Sequence, residues 1–184
     1  MAAALAAAAL QADGDDSEES ALNIGRFMRH LWMTRWYASS VFPARTLDAV
    51  EQAIRHAEFS HGGEIRFAVE AELHILDLLR GLTPRERALQ VFGELGVWDT
   101  DGNNGVLIYV LLADHDVEIV ADRGYARRVE HGEWQDVCHT MEQAFRAGEY
   151  ERGAIAGVNA VSRLMAQHFP AIDRNELPDR PAML

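Results

Sequence analysis

Trp98-Asp99-Thr100-Asp101-Gly102-Asn103-Asn104-Gly105 runs directly into Val106-Leu107-Ile108-Tyr109-Val110-Leu111-Leu112-Ala113. The first half is rich in side-chain oxygen and in turn-forming glycine. The second half is apolar without interruption, as a central strand covered on both faces would be. Asp114-His115 then reads as a two-residue turn, and Val117-Glu118-Ile119-Val120-Ala121-Asp122 as the returning antiparallel strand. With that turn, Ala113 faces Asp116 and Val106 faces Arg123. The hairpin therefore brings Asp122 back to the loop that holds Asp99, Asp101 and Asn103.

Working outward, Glu64 to Glu70 alternates, with Ile65, Phe67 and Val69 on one face, so it reads as a second strand. Pro43 opens a helix whose apolar stripe is Leu47, Val50, Ile54 and Ala57, and His61-Gly62-Gly63 ends it. Residues 71 to 82 read as an irregular or partly helical connection. Thr83-Pro84-Arg85-Glu86 is a helix start with a capping box, and that helix runs to about Leu95. Two helices close the domain, Glu130 to Phe145 and Glu149 to Phe169, and Gly153 and Gly157 in the second leave room for close packing on the sheet. The order is helix, strand, helix, strand, strand, helix, helix. It predicts an α/β fold with a small mixed sheet, including a β-hairpin, covered by helices on both faces.

Composition agrees. The chain has 184 residues, 48% hydrophobic and 25% charged, as expected of one globular domain. A net charge of -12 argues against a nucleic-acid partner, which needs a basic face. The single cysteine, Cys138, excludes an internal disulfide and reads as a buried thiol on a helix. Residues 1 to 22 read as a disordered tail, because the alanine-rich start lacks a basic region and is followed by acidic, polar sequence. Residues 23 to 42 contain the basic, aromatic run Arg26 to Tyr37, expected to dock as an N-terminal helix with Phe27, Leu31 and Trp32 on one side. The same run is the candidate contact for a protein partner or a membrane surface. The domain is expected over 43 to 170, and 171 to 184 as a loose C-terminal tail. No stretch approaches the roughly 20 apolar residues of a membrane span, so the expected location is the cytoplasm, or the periphery of a membrane.

The carboxylates gain meaning from topology. Strand, crossover helix, strand units are parallel and right-handed in nearly all cases. Glu64, preceded by His61, then starts on the same rim as the oxygen-rich loop, so Glu64, Asp99, Asp101, Asn103 and Asp122 share one edge. Clustered carboxylates and amides are what hard cations need, so calcium or magnesium is the expected ligand. Asp99-x-Asp101-x-Asn103 matches the opening ligand positions of an EF-hand, but Asn104 stands where its glycine belongs, Val110 where its glutamate belongs, and a strand follows. Glu70, Glu72, Asp114, His115 and Asp116 form a second polar group at the opposite rim, with the residue types of ordinary turns and strand ends. Phosphate-loop, dinucleotide, nucleophile-elbow and H-E-x-x-H signatures are absent from the sequence. Carboxylates holding a metal could activate water for phosphoester hydrolysis, with Arg123 steadying the phosphate. A metal-assisted acid phosphatase is therefore the alternative to simple cation binding, and an interaction or assembly module acting through residues 26–37 is a third reading.

Three blocks carry a family resemblance: GGEIRFAVE (Gly62 to Glu70), RERALQVFGELGVWDTDGNNGVLIYVLLADHDVEIVADRG (Arg85 to Gly124) and AFRAGEYERGAIAGVNAV (Ala144 to Val161). Together they resemble the TPM domain family, whose members include thylakoid-lumen photosystem-repair proteins and many bacterial proteins. The resemblance covers about Pro43 to Phe169. It implies a three-layer α/β/α sandwich with a Rossmann-like look, divalent-cation binding at the loop rim in some members, and acid phosphatase activity in plant members. The family often has aspartate where this chain has Asn103, and glycine where it has Asp122.

Overall fold

In the computed structural model, residues 25–30, 35–170 and 176–184 are described. The tail expected over residues 1 to 22 lies outside them, as do Leu31 and Trp32 of the N-terminal aromatic run. Strands β1 (Glu64–Glu70) and β2 (Gly105–Leu111) pair in parallel, with Glu64 opposite Gly105 and Glu70 opposite Leu111. Strand β3 (Asp116–Ala121) runs antiparallel to β2, and the two-residue strand β4 (Ala182–Met183) lies parallel on the other edge of β1. The sheet order is β3-β2-β1-β4.

Residues 25–30 are helical, and the further helices among the described residues are α1 (Arg35–Val41), α2 (Ala44–Glu58), α3 (Ile75–Leu79), α4 (Pro84–Glu94), α5 (His131–Arg146) and α6 (Tyr150–Ala166). Side-chain alternation along the strands sorts them into layers. Ile65, Phe67, Val69, Val106, Ile108, Val110, Val117 and Ile119 meet the buried stripes of α2, α5 and α6. Ala68, Leu107, Tyr109, Leu111 and Val120 face the other way, against Ala88 and Val91 of α4. All of β2 is buried, as its unbroken apolar run required. The expected α/β/α sandwich is therefore present. Thr83 and Glu86 form the expected reciprocal cap on α4.

Three expectations need correction. The hairpin register is shifted: Leu111 faces Asp116 and Val106 faces Ala121. Leu112–Asp114 coil into a 3-10 turn and His115 takes a left-handed conformation, φ 53°, so four residues make the connection. Second, Gly153 and Gly157 pack on a helix and not on the sheet. A Cβ on Gly157 would overlap Met141, and one on Gly153 would meet Phe145 and Ala144 of α5. Third, residues 176–184 are no loose tail. They run along β1, where Leu177 is buried and Leu184 donates its N–H to the carbonyl of Val69 at 2.9 Å.

Among the described residues, no helix is long and apolar enough to cross a membrane.

Candidate functional site

The oxygen-rich loop is shaped by Asn104, which is 6% exposed. Its N–H donates to Thr100 Oγ1 at 3.1 Å, and its side-chain amide donates to the carbonyl of Gly62. Its own carbonyl accepts from the Tyr125 hydroxyl at 3.0 Å and from the N–H of Glu64 at 3.3 Å. One asparagine thus ties together the loop before β2, the turn before β1 and the segment after β3. Further bonds close the rim: Asp122 N–H to Gly105 carbonyl and Gly124 N–H to Asn103 carbonyl, both 2.9 Å. Gly105 must be glycine, because a Cβ there would collide with the carbonyl of Val97. Asn103 adopts φ 50°, a left-handed conformation that asparagine tolerates better than most residues.

The parallel pairing brings the five predicted residues to one rim, but their side chains are used differently. Asp122 accepts the N–H of Arg123 on Oδ1 at 2.6 Å, and its Oδ2 is buried without a donor from the described protein. Asn103 accepts from Arg123 Nε at 2.6 Å. Asp99 and Asp101 sit on the exposed turn. The Asp101 N–H donates to Glu176 Oε2 at 2.9 Å. Glu64 is 2% exposed and faces the C-terminal segment, accepting the N–H of Leu177 on Oε2 at 3.1 Å and a backbone bond from Glu176. Burial pushes the Glu64 carboxyl above the usual range, and those two backbone donors pull it back part of the way. His61, on the same side, is buried. Gly63 N–H donates to its Nδ1 at 3.3 Å, which puts the ring proton on Nε2 and makes that nitrogen a donor and not a metal ligand.

Among the described residues, no three Asp, Glu, His or Cys side chains form a metal-holding group on their own. A cation here would need neutral oxygens from amides, carbonyls or water beside the carboxylates, a mixture calcium accepts. One buried neutral oxygen at this rim is Asn104 Oδ1. The amide nitrogen is fixed on Gly62, so Oδ1 points the other way, and it is buried without a donor from the described protein. Sequence reasoning passed over Asn104 and Glu176 as residues of this rim. An asparagine immediately before a glycine that enters a buried strand was the available signal for the first. Nothing local marks the second.

The opposite rim is built otherwise. The Asp114 side chain is 8% exposed and meets Arg26 Nε at 2.8 Å, His30 Nε2 at 3.1 Å and Arg29 at 3.7 Å. Glu70 accepts from Arg87 at 2.9 and 3.2 Å and from the Tyr109 hydroxyl at 2.5 Å. Arg26, Arg29 and His30 of the N-terminal run thus converge on the hairpin turn. Arg26 and Arg29 also hold the carbonyls of Leu82 and Ala113. The solvated turn expected there is a largely buried ionic network. Cys138 is half-buried on α5, and burial pushes its thiol up to about 12, which leaves it a poor nucleophile.

Comparison with known proteins gives a consistent result. A family model described as the TPM domain matches residues 38–164. Among solved structures, the BA42 protein of the psychrophilic bacterium Bizionia argentinensis is 30% identical, with a TM-score of 0.64 over 77% of this chain and 94% of that one. The N-terminal domain of a P. gingivalis protein is 20% identical, with a TM-score of 0.57 over 74% and 85% of the two chains, a likeness of fold alone. No curated protein matches.

Proposed function

Since the chain belongs to the TPM domain family, we propose that its loop rim binds a divalent cation, calcium or magnesium, through Asp99, Asp101, Asn103 and Asp122, with Glu64 as a further carboxylate at that rim. One observation carries this reading. Two buried side-chain oxygens, Asn104 Oδ1 and Asp122 Oδ2, accept nothing from the described protein, and they hang from segments stitched together by the Asp122–Gly105 and Gly124–Asn103 backbone bonds. A buried acceptor without a donor costs about 1–3 kcal/mol. A cation that reached both oxygens would offset that cost. The exposed turn carrying Asp99 and Asp101 supplies charge from the solvent side, and water completes the shell. Calcium suits this set better than magnesium, because it accepts six to eight oxygens in irregular geometry. Asn103 joins the shell by giving up its bond to Arg123 Nε.

That exchange supports a second reading. Arg123, released from Asn103, is a guanidinium placed beside a metal. There it would hold a phosphoester, and the cation, if bound, would supply activation of water for hydrolysis.

Calorimetric titration of the chelator-treated protein tests the first reading. Saturable calcium uptake with a dissociation constant on the order of 1 mM or tighter is expected, as in irregular calcium sites, with a rise in Tm that Asp122→Asn abolishes. Absence of both heat and Tm shift overturns it. Phosphoester turnover that needs the metal and falls with Arg123→Ala supports the second reading, and absent or metal-independent turnover removes it.

A further inference from the structure

Residues 176–184 lie beyond the part of the chain that the family model matches, which ends at residue 164. Resting on the cation reading above, we propose that this segment is a strap whose docking on β1 and cation binding at the loop rim reinforce one another, with Glu176 as the link between them.

The strap is held at two ends. At the rim, Glu176 Oε2 receives the Asp101 N–H at 2.9 Å, and Leu177 donates its N–H to buried Glu64 at 3.1 Å. Leu177 packs in the core between the sheet and α4. At the far end, only Ala182 and Met183 pair with β1, and Leu184 adds one bond to Val69. Pro178 and Pro181 lie between and have no N–H to give a ladder. The middle is carried by side chains: Arg66 donates to the carbonyls of Pro178 and Arg180, and Arg55 Nε meets Asp179 at 3.1 Å. So short a strand cannot stand alone, and its position depends on these side-chain contacts and the rim contacts together.

Charge sets the sign of the coupling. The docked strap sets the Glu176 carboxylate at the rim that holds buried Glu64, whose Oε2 takes the Leu177 N–H. Glu176 also sits over the turn that carries Asp101. These like charges oppose docking, and a cation held at the rim relieves them. The buried, donor-free Asn104 Oδ1 lies beneath the same turn, where a Cβ on Gly102 would already touch its side chain. Linkage is reciprocal, so whatever factor the cation adds to docking, docking adds to cation affinity.

The test uses the full chain, titrated with calcium chloride by calorimetry and followed by amide hydrogen exchange. In the wild-type protein, calcium should slow exchange at Leu177 and Leu184 about tenfold, within the usual range of coupling. Leu177→Ser, which undocks the strap without touching the loop, should weaken calcium binding by a similar factor. Glu176→Ala should do the same on an exposed residue whose loss leaves the fold intact, and Glu176→Gln, which keeps the acceptor but not the charge, should fall between. If the wild-type protein binds calcium while strap exchange is unmoved and Glu176→Ala binds as tightly as wild type, the strap proposal is overturned and the cation reading stands. If the wild-type protein takes up no calcium, both fall.

Discussion

The two rims of the sheet hold similar residues and use them in opposite ways. At the hairpin rim, Asp114 and Glu70 are matched to Arg26, Arg29, His30 and Arg87. At the loop rim, Glu64 faces backbone amides, and Asp122 keeps one oxygen without a donor from the described protein. Arg123 is near, but its Nε goes to the neutral Asn103. An acidic cluster neutralised by the chain's own cations is a fastener. One left with unmatched oxygens is where the proposed cation would bind, although Asp116 Oδ1 at the hairpin rim is also buried without a donor from the described protein. Residue type alone does not separate these cases; the partners do.

The largest expected effect lies at the hairpin rim. Burial alone would raise the Asp114 carboxyl, yet the contacts and charges of His30 and Arg26 hold it below the usual range. Removing one partner of a buried ionic group leaves the others uncompensated. Asp114→Ala should cost about 3 kcal/mol, read as a lower urea midpoint at unchanged m-value. It should also free the 25–30 segment, seen as faster exchange of the Leu73 amide that donates to His30 Nδ1. A loss under about 0.5 kcal/mol, the level of an ordinary surface change, would show that this rim is no fastener.

pH sharpens the contrast. Asp114 contributes stability that is fully present above its unfolded value of 3.8 and is lost as pH falls through its lower folded value. Glu58, at the end of α2 behind the loop rim, behaves in the opposite sense. Its Oε1 accepts the Ile65 N–H at 3.2 Å and its Oε2 lacks a donor from the described protein. Burial first, then Glu64 and Asp179, push it from 4.5 to about 8. Between those values the folded protein binds a proton that the unfolded chain has released, so stability falls as pH rises. Glu58→Gln mimics the protonated form. It should be close to neutral near pH 5 and stabilising by about 1 kcal/mol near pH 9, a figure reduced for the partial exposure of the group. A benefit that is flat across that range would remove the pH argument. Asp116 shows that the hairpin rim is not uniform, because burial and then Glu118 push it up to about 6.

What the sequence made legible follows the range over which each signal acts. Strand β1, the buried strand β2 and the cap of α4 are encoded within a few residues, and periodicity reveals them. The parallel pairing follows from crossover chirality, so the meeting of the Glu64, Asn103 and Asp122 backbones could be derived. The hairpin register escaped because Leu112 and Ala113 are as apolar as a strand while being buried in a turn. The strap escaped because Pro178 and Pro181 break any strand pattern. The partners of the acids escaped altogether: Glu64 is claimed by Leu177, 113 positions away, and Asp114 by Arg26, 88 positions away. No local pattern carries such pairings.

The smallest expected effect is the most discriminating. Asp122→Asn keeps an oxygen to accept the Arg123 N–H that Oδ1 accepts at 2.6 Å, and exchanges the donor-free Oδ2 for an amide. A residue serving only the fold would lose stability when its charge is removed, as Asp114 should. If Asp122 is instead kept for a ligand, nothing in the metal-free protein depends on its charge. Stability without metal should then stay within about 0.5 kcal/mol of wild type, while the calcium-induced rise in Tm disappears. The two measurements bear on different halves of the comparison. A large loss without metal would make Asp122 a fastener like Asp114 and erase the distinction between the rims. An unchanged calcium response would leave the distinction standing but move the ligand elsewhere.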